Sequence, residues 1–191
     1  MRVGLFGGTF NPIHLGHLLL AESARESLSL DRVLFIPNRQ PPHKPSAGLL
    51  PGTIRLKLVQ LAIRNHPAFA ASDIELHRDG PSYTVETVKL LRRQAPGAQL
   101  FLIMGEDMLA VRWQAWSELK RLCTVVVAGR PGAKGRRAER GITRIPMPQV
   151  EISAAAIRAR VAAGRSIRYL VPDVVARYIR EHRLYHTGGA R

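Results

Sequence analysis

The amino-acid sequence predicts a doubly wound α/β fold, a parallel sheet with helices on both faces. Three observations predict it. Short apolar runs recur over the first 128 residues, segments with helical spacing separate them, and several runs end in glycine or proline. Parallel neighbours need crossover connections, which are right-handed and lay helices over both faces. Such a Rossmann-like sheet binds ligands outside the carboxyl ends of its strands. The glycines after Phe6, the loop after Ile36 and the turn at Gly105 all fall there.

VGLF at 3–6 reads as the first strand, followed by a helix from about Leu15 to Ser29. RVLFIP at 32–37 is a second strand, and the long loop NRQPPHKPSAGLLPG follows it. TIRLKLVQLAIRNH reads as a helix capped by Thr53, AASDIEL holds a strand, and the next helix opens at Ser82 or Thr84. QLFLIMG is a strand, EDMLAVRWQAWSEL is helix-like, and CTVVVAG is a further strand. Beyond them lies the stretch GRPGAKGRRAERG, whose glycines and arginines suit a mobile basic loop. EISAAAIRARVAAGRS reads as a helix capped at Ser153, with Ile157 and Val161 inward and Gly164 as its stop. VPDVVARYIREHRLY is a last helix starting near Pro172. One domain spanning 1–191 is expected: a core at 1–128, the basic loop and last strand at 129–150, and a small C-terminal helical part at 151–191.

The 191 residues, 46% of them hydrophobic, can bury one sizeable core. The apolar start breaks at Gly7 and Gly8, unlike a secretory signal, and no run approaches the ~20 apolar residues of a membrane span. A cytoplasmic protein without membrane partners is therefore expected. The single cysteine, Cys123, lies in an apolar run and excludes an internal disulfide; its simplest reading is an inert core residue. The net charge of +15 fits nucleic acid, an anionic membrane or small anionic substrates. Aromatics are too sparse among those charges for a base-stacking platform, which favours a solvated basic surface and no nucleic-acid partner.

The chemistry concentrates in GGTFNPIHLGH at 7–17. The spacing is neither the dinucleotide fingerprint nor a Walker loop. Gly7 and Gly8 let the backbone approach a ligand closely, and the helix starting near Leu15 aims unpaired N–H groups at an anion. His14 and His17, at i and i+3, share one face of the first turn. Two imidazoles beside a helix N-terminus are suited to donate to phosphate oxygens and to stabilise charge developing there. A metal site would need carboxylate or cysteine companions that this stretch lacks.

GGTFNPIHLGH resembles the signature of the HxGH nucleotidyltransferases, and this version is similar to that of the bacterial nicotinate-mononucleotide adenylyltransferase family. The resemblance runs along nearly all of the chain: PNRQPPHK at 37–44, GPSYT at 80–84, MGED at 104–107, GRPG at 129–132, EISAAAIR at 151–158 and the tail YLVPDVVARYIREHRLY. It implies that Gly7, Gly8, Thr9, Phe10, His14, His17, Gly105, Asp107, Ile152, Ser153 and Arg158 bind ATP, with Asp107 on the adenosine ribose. It implies that Asn38, Lys44, Ser82, Tyr83, Thr84 and Trp113 hold the mononucleotide, and that His14, His17, Lys44 and Arg158 carry catalysis. The chain departs from the family twice. Ala154 and Ala155 replace hydroxyl residues of Ile-Ser-Ser-Thr-x-Ile-Arg, and the shortened spacing after Asp107 leaves Trp113 or Trp116 as the pyridine-stacking ring, Trp113 being favoured.

The implied reaction is transfer of AMP from ATP to nicotinate mononucleotide, giving nicotinate adenine dinucleotide and pyrophosphate in NAD biosynthesis. Mg²⁺ is the implied cofactor, held by ATP phosphates and water, with no protein metal site. A homo-oligomer is compatible with the sequence. The nearest alternative is another HxGH adenylyltransferase, such as one acting on phosphopantetheine, against which GPSYT and PPHK argue. A basic nucleic-acid-binding protein is the alternative of another class. The chain lacks the Lys-Met-Ser-Lys-Ser loop and the length such a synthetase-like protein would need.

Overall fold

The computed structural model describes residues 1–40, 48–129 and 141–186. PPHK, including Lys44, and the basic stretch at 130–140 lie outside them. Six strands, β1 (Arg2–Gly8), β2 (Arg32–Pro37), β3 (Phe69–Ala71), β4 (Gln99–Gly105), β5 (Thr124–Gly129) and β6 (Ile142–Pro146), form one sheet in the order β3-β2-β1-β4-β5-β6. Every neighbouring pair is parallel. The chain winds outward from β1 in one direction and from β4 in the other, so a crevice opens between their carboxyl ends.

Successive strand residues feed opposite cores, as the pleat demands. Phe6, Val33, Phe35, Phe101, Ile103 and Val126 enter one; Val3, Leu5, Ile36, Leu100, Leu102 and Val127 enter the other. Helices α1 (Leu15–Ser27) and α2 (Gly52–Ile63) cover the first face, while α3 (Thr84–Gln94) and α4 (Trp116–Leu122) cover the second. The C-terminal helices α5 (Ala154–Ala162) and α6 (Asp173–Glu181) insert Ile157, Val161, Val175 and Ile179 into the first core, so they complete the face begun by α1 and α2. Cys123 is buried and its thiol is pushed up to about 12 by burial, which makes it inert. No described helix is long and apolar enough to cross a membrane.

Ser153 caps α5 as its position suggests, accepting from the Ala156 N–H at 3.1 Å. Three local expectations change. Thr53 is not the cap of α2, because Pro51 stands there and its carbonyl accepts from Ile54 and Arg55. The strand expected in AASDIEL stops at Ala71, where Ser72 turns its N–H to Phe35 and the next residues form turns. EDMLAVRWQAWSEL is not one helix. A 3₁₀ turn over Glu106–Ala110 ends where the Trp113 indole N–H donates to the Met108 carbonyl at 2.8 Å, and left-handed Ala115 (φ 52°) precedes α4.

Candidate active site

At the crevice between β1 and β4 lies a cleft of about 520 Å³. Gly7, Gly8, Thr9, His14 and His17 reach it from the β1–α1 turn, Asn38 from the end of β2, and Ser82, Tyr83 and Thr84 from the start of α3. Gly105, Asp107 and Trp113 line it from the end of β4, and Ile152, Ser153 and Ala154 from the entry to α5. Residues separated by more than a hundred positions thus share one wall.

The β1–α1 turn is packed tightly enough to define its side chains. His14 is the residue before α1, and its ring stacks on His17 with centroids 3.6 Å apart. The His17 Nδ1 accepts the His14 backbone N–H at 3.2 Å, so a neutral His17 carries its proton on Nε2. Phe10 meets the His17 ring edge-on at 5.1 Å, which fixes the ring's other side. The glycine between the histidines is steric in origin: a Cβ on Gly16 would sit 3.1 Å from His14 Nδ1 and 3.3 Å from Cε1. A Cβ on Gly8 would meet the Phe10 ring at 2.8 Å.

Burial pushes the His14 imidazole down to about 4. It is therefore neutral at physiological pH and offers one N–H rather than a full positive charge. Its buried Nδ1 has no hydrogen-bond partner among the described residues. The Asp107 carboxylate, exposed at the cleft mouth, folds back over Gly105, where a Cβ would lie 2.5 Å from its Oδ1. Trp113 lines the cleft and Trp116 does not, although the two rings lie 5.8 Å apart.

Two named residues sit behind the wall. Phe10, 2% exposed, packs beneath Gly8 against Phe6 and Phe35. Arg158 donates to the Asn11 carbonyl at 2.9 Å, on the loop before His14, and does not line the cleft. Asn11 ties that loop further, to Gly48 and Leu50 and to the Tyr185 hydroxyl at 3.0 Å. The Tyr83 N–H turns back to Pro81 at 3.0 Å, so the N–H groups of Thr84 and Val85 open α3.

Two buried charges escaped the sequence. Glu75, 4% exposed, lines the cleft, accepts from Thr87 Oγ1 at 2.6 Å, and is raised above the usual carboxylate range mainly by burial. Arg55 is fully buried beneath the β1–α1 and β2–α2 loops. A signal for Arg55 did exist, since it occupies the apolar stripe of α2 with Leu58 and Val59 at i+3 and i+4. Nothing comparable marked Glu75.

Known proteins resemble this chain in sequence and in fold. The cytidylyltransferase-like family model matches residues 5–160. A protein of Thermomicrobium roseum named probable nicotinate-nucleotide adenylyltransferase is 45% identical, the alignment covering 97% of this chain and 92% of that protein. One of the same name from Thermus thermophilus is 44% identical, covering 97% of this chain and all, 100%, of that protein. The Plasmodium falciparum nicotinic acid mononucleotide adenylyltransferase complexed with NaAD shares the fold, with a TM-score of 0.81 at 17% identity over 96% of this chain and 97% of that one. By its sequence relatives, its matched motifs and its topology, this chain belongs to the nicotinate-nucleotide adenylyltransferase family of the cytidylyltransferase-like nucleotidyltransferases.

Proposed function

We propose that the chain transfers AMP from ATP to nicotinate mononucleotide, forming nicotinate adenine dinucleotide and pyrophosphate in NAD biosynthesis. The observation that carries this reading is a single cleft in which the two-histidine turn, the Asp107 turn and the 82–84 segment meet. An oxygen of the mononucleotide phosphate bonds to the α-phosphorus of ATP. The bond from that phosphorus to the bridging oxygen breaks, and its electron pair leaves with pyrophosphate. A phosphate anion attacks without losing a proton at neutral pH, so the protein's task is positioning and charge stabilisation.

In this reading Gly7, Gly8 and Thr9 admit the triphosphate, and His14 and His17 donate to it. Arg158 supplies a cation from behind the loop and Lys44 another from the second loop. Asp107 beside Gly105 faces the two ribose hydroxyls, and Ile152 and Ser153 close the ATP side. Asn38, Ser82, Tyr83 and Thr84 receive the mononucleotide, with the Trp113 ring available to stack on its pyridine. Mg²⁺ suits such a cleft as an ion held by phosphate and water. The cleft carboxylates Glu75 and Asp107 come from different segments, and no three His, Cys, Asp or Glu side chains cluster among the described residues. Bound there, it would neutralise charge on the departing pyrophosphate. We read the chain as one domain, a reading supported by the packing of β1 and α6 into a shared core.

The deciding assay is pyrophosphate release from ATP with nicotinate mononucleotide, nicotinamide mononucleotide and phosphopantetheine in turn. Fastest release with nicotinate mononucleotide is expected; fastest release with phosphopantetheine would overturn the acceptor. A smaller effect is expected at α5, where Ala154 lines the cleft and the exposed Ala155 does not. Ala154→Ser should tighten ATP binding by about 0.5–1.5 kcal/mol, one neutral hydrogen bond, with Ala155→Thr doing less. Calorimetry checks both, and weaker ATP binding in folded Ala154→Ser would refute the approach of α5 to the phosphates.

A further inference from the structure

Arg55 uses all five of its N–H donors on the loops that meet at the cleft. Nε donates to the Leu50 carbonyl at 2.8 Å, and Nη1 to the Thr9 carbonyl at 2.7 Å and Asn38 Oδ1 at 3.4 Å. Nη2 reaches the Asn38 carbonyl at 2.6 Å and that of Arg39 at 3.4 Å. No described carboxylate pairs with it. A cation with 0% exposure and only uncharged oxygens around it is an expensive way to hold a loop, because burying a charge carries a large desolvation penalty. A planar fork is one of the few groups able to bind carbonyls from three directions at once.

The geometry extends beyond the fork. Thr9 belongs to the ATP-side loop and Asn38 to the mononucleotide-side loop, and the Asn38 N–H donates to the Gly8 carbonyl at 3.0 Å. In a trans peptide the carbonyl and the following N–H point in opposite directions. With the Asn38 carbonyl held by Arg55, the Arg39 N–H points away and donates to Ser82 Oγ at 3.1 Å. The Ser82 N–H in turn donates to the Gln40 carbonyl at 3.0 Å. One guanidinium therefore links the turn that leads to the histidines, the second loop and the start of α3.

We propose that Arg55 is a positioning residue for adenylyl transfer, holding the ATP-side and mononucleotide-side loops at the separation and orientation that bring the acceptor phosphate in line with the α-phosphorus. It touches neither substrate. The role rests on the adenylyltransferase reading and adds to it a residue outside the cleft on which the reaction geometry depends.

Arg55→Lys keeps a cation but replaces five directed donors with three on one point. In the folded variant, kcat at saturating substrates is expected to fall about tenfold or more, because displacement of a fraction of an ångström between reacting groups is enough to do so. KM for ATP and for the mononucleotide should each change less than kcat. A kcat within twofold of wild type per folded molecule, or an effect confined to KM, overturns the proposal. Should Arg55→Lys not fold, amide hydrogen exchange in the wild-type chain still decides. The Arg39 amide, although in a loop, should exchange as slowly as amides in α2, and exchange at an unprotected rate overturns the proposal. A wild-type chain that releases no pyrophosphate with nicotinate mononucleotide overturns the activity and the role together. An active wild type with unchanged Arg55→Lys turnover overturns the role alone.

Discussion

His17→Ala is expected to lower turnover by about 10²–10³ while changing mononucleotide binding little, since one preorganised donor aimed at developing charge is typically worth that much. The structure gives physical grounds for the word preorganised. The His17 ring is held by the stacked His14 at 3.6 Å and by Phe10 at 5.1 Å, and its Nδ1 is occupied by the His14 N–H. The proton on Nε2 is thereby set before any substrate arrives, and no reorientation is needed as charge moves onto the leaving group. His14 makes the complementary case. Held neutral by burial, it binds as a dipole, and an anion placed against its N–H would draw its pKa up again. Steady-state kinetics on purified His17→Ala check the expectation. An unchanged turnover number in a variant that melts like wild type would refute the catalytic role and return His17 to a packing residue beside Phe6 and Phe10.

Most of the fold was legible because parallel strands buried on both faces read as unbroken apolar runs, as VGLF, FLIM and TVVV do. The cleft's outline was legible for a related reason, since strand ends and the glycines that follow them are local features. Elements decided by distant partners were not. The early end of β3 depends on Ser72 bonding to Phe35 in a different strand. The break after Gly105 is local, lying where the Trp113 indole meets the Met108 carbonyl five residues back, a side-chain contact that helical spacing does not show. The burial of Glu75 is likewise invisible locally, whereas that of Arg55 had a local sign in its place on the apolar stripe of α2. Glu75 is tolerated because Thr87 and Ser82 hydrogen-bond to it, and Arg55 because carbonyls from three separate segments converge on its guanidinium. Phe10 and Arg158, which the motif implies bind ATP, stand behind the cleft wall, and their packing partners there were not legible in the motif. Phe10 fills the space under Gly8, and Arg158 braces Asn11.

The acid form of the acceptor should be preferred by at least tenfold in kcat/KM over nicotinamide mononucleotide, a difference that needs only ~1.4 kcal/mol. The two acceptors differ in a carboxylate against a carboxamide, so selectivity comes from what faces that group. In this reading that is the start of α3, where the segment 82–84 lines the cleft. The Tyr83 N–H is engaged by Pro81, which leaves the N–H groups of Thr84 and Val85 and the positive end of the helix to favour a negative partner. A carboxylate accepts at both oxygens, whereas a carboxamide turns an NH₂ donor toward a donor and wastes it. Glu75 is the cleft group that would pull the other way, since an ionised carboxylate repels the acid and welcomes the amide. Two facts blunt it. Its oxygens are already engaged by Thr87, at 2.6 Å, and Ser82, and burial raises its pKa so that its charge is less firmly held. Steady-state kinetics on both acceptors at matched ATP measure the balance. Equal efficiencies, or a preference for the amide, would mean that Glu75 outweighs the helix end or that the pyridine lies elsewhere. Glu75→Gln separates these: it would raise the acid preference if Glu75 opposes it, and leave the ratio unmoved if the pyridine never comes near.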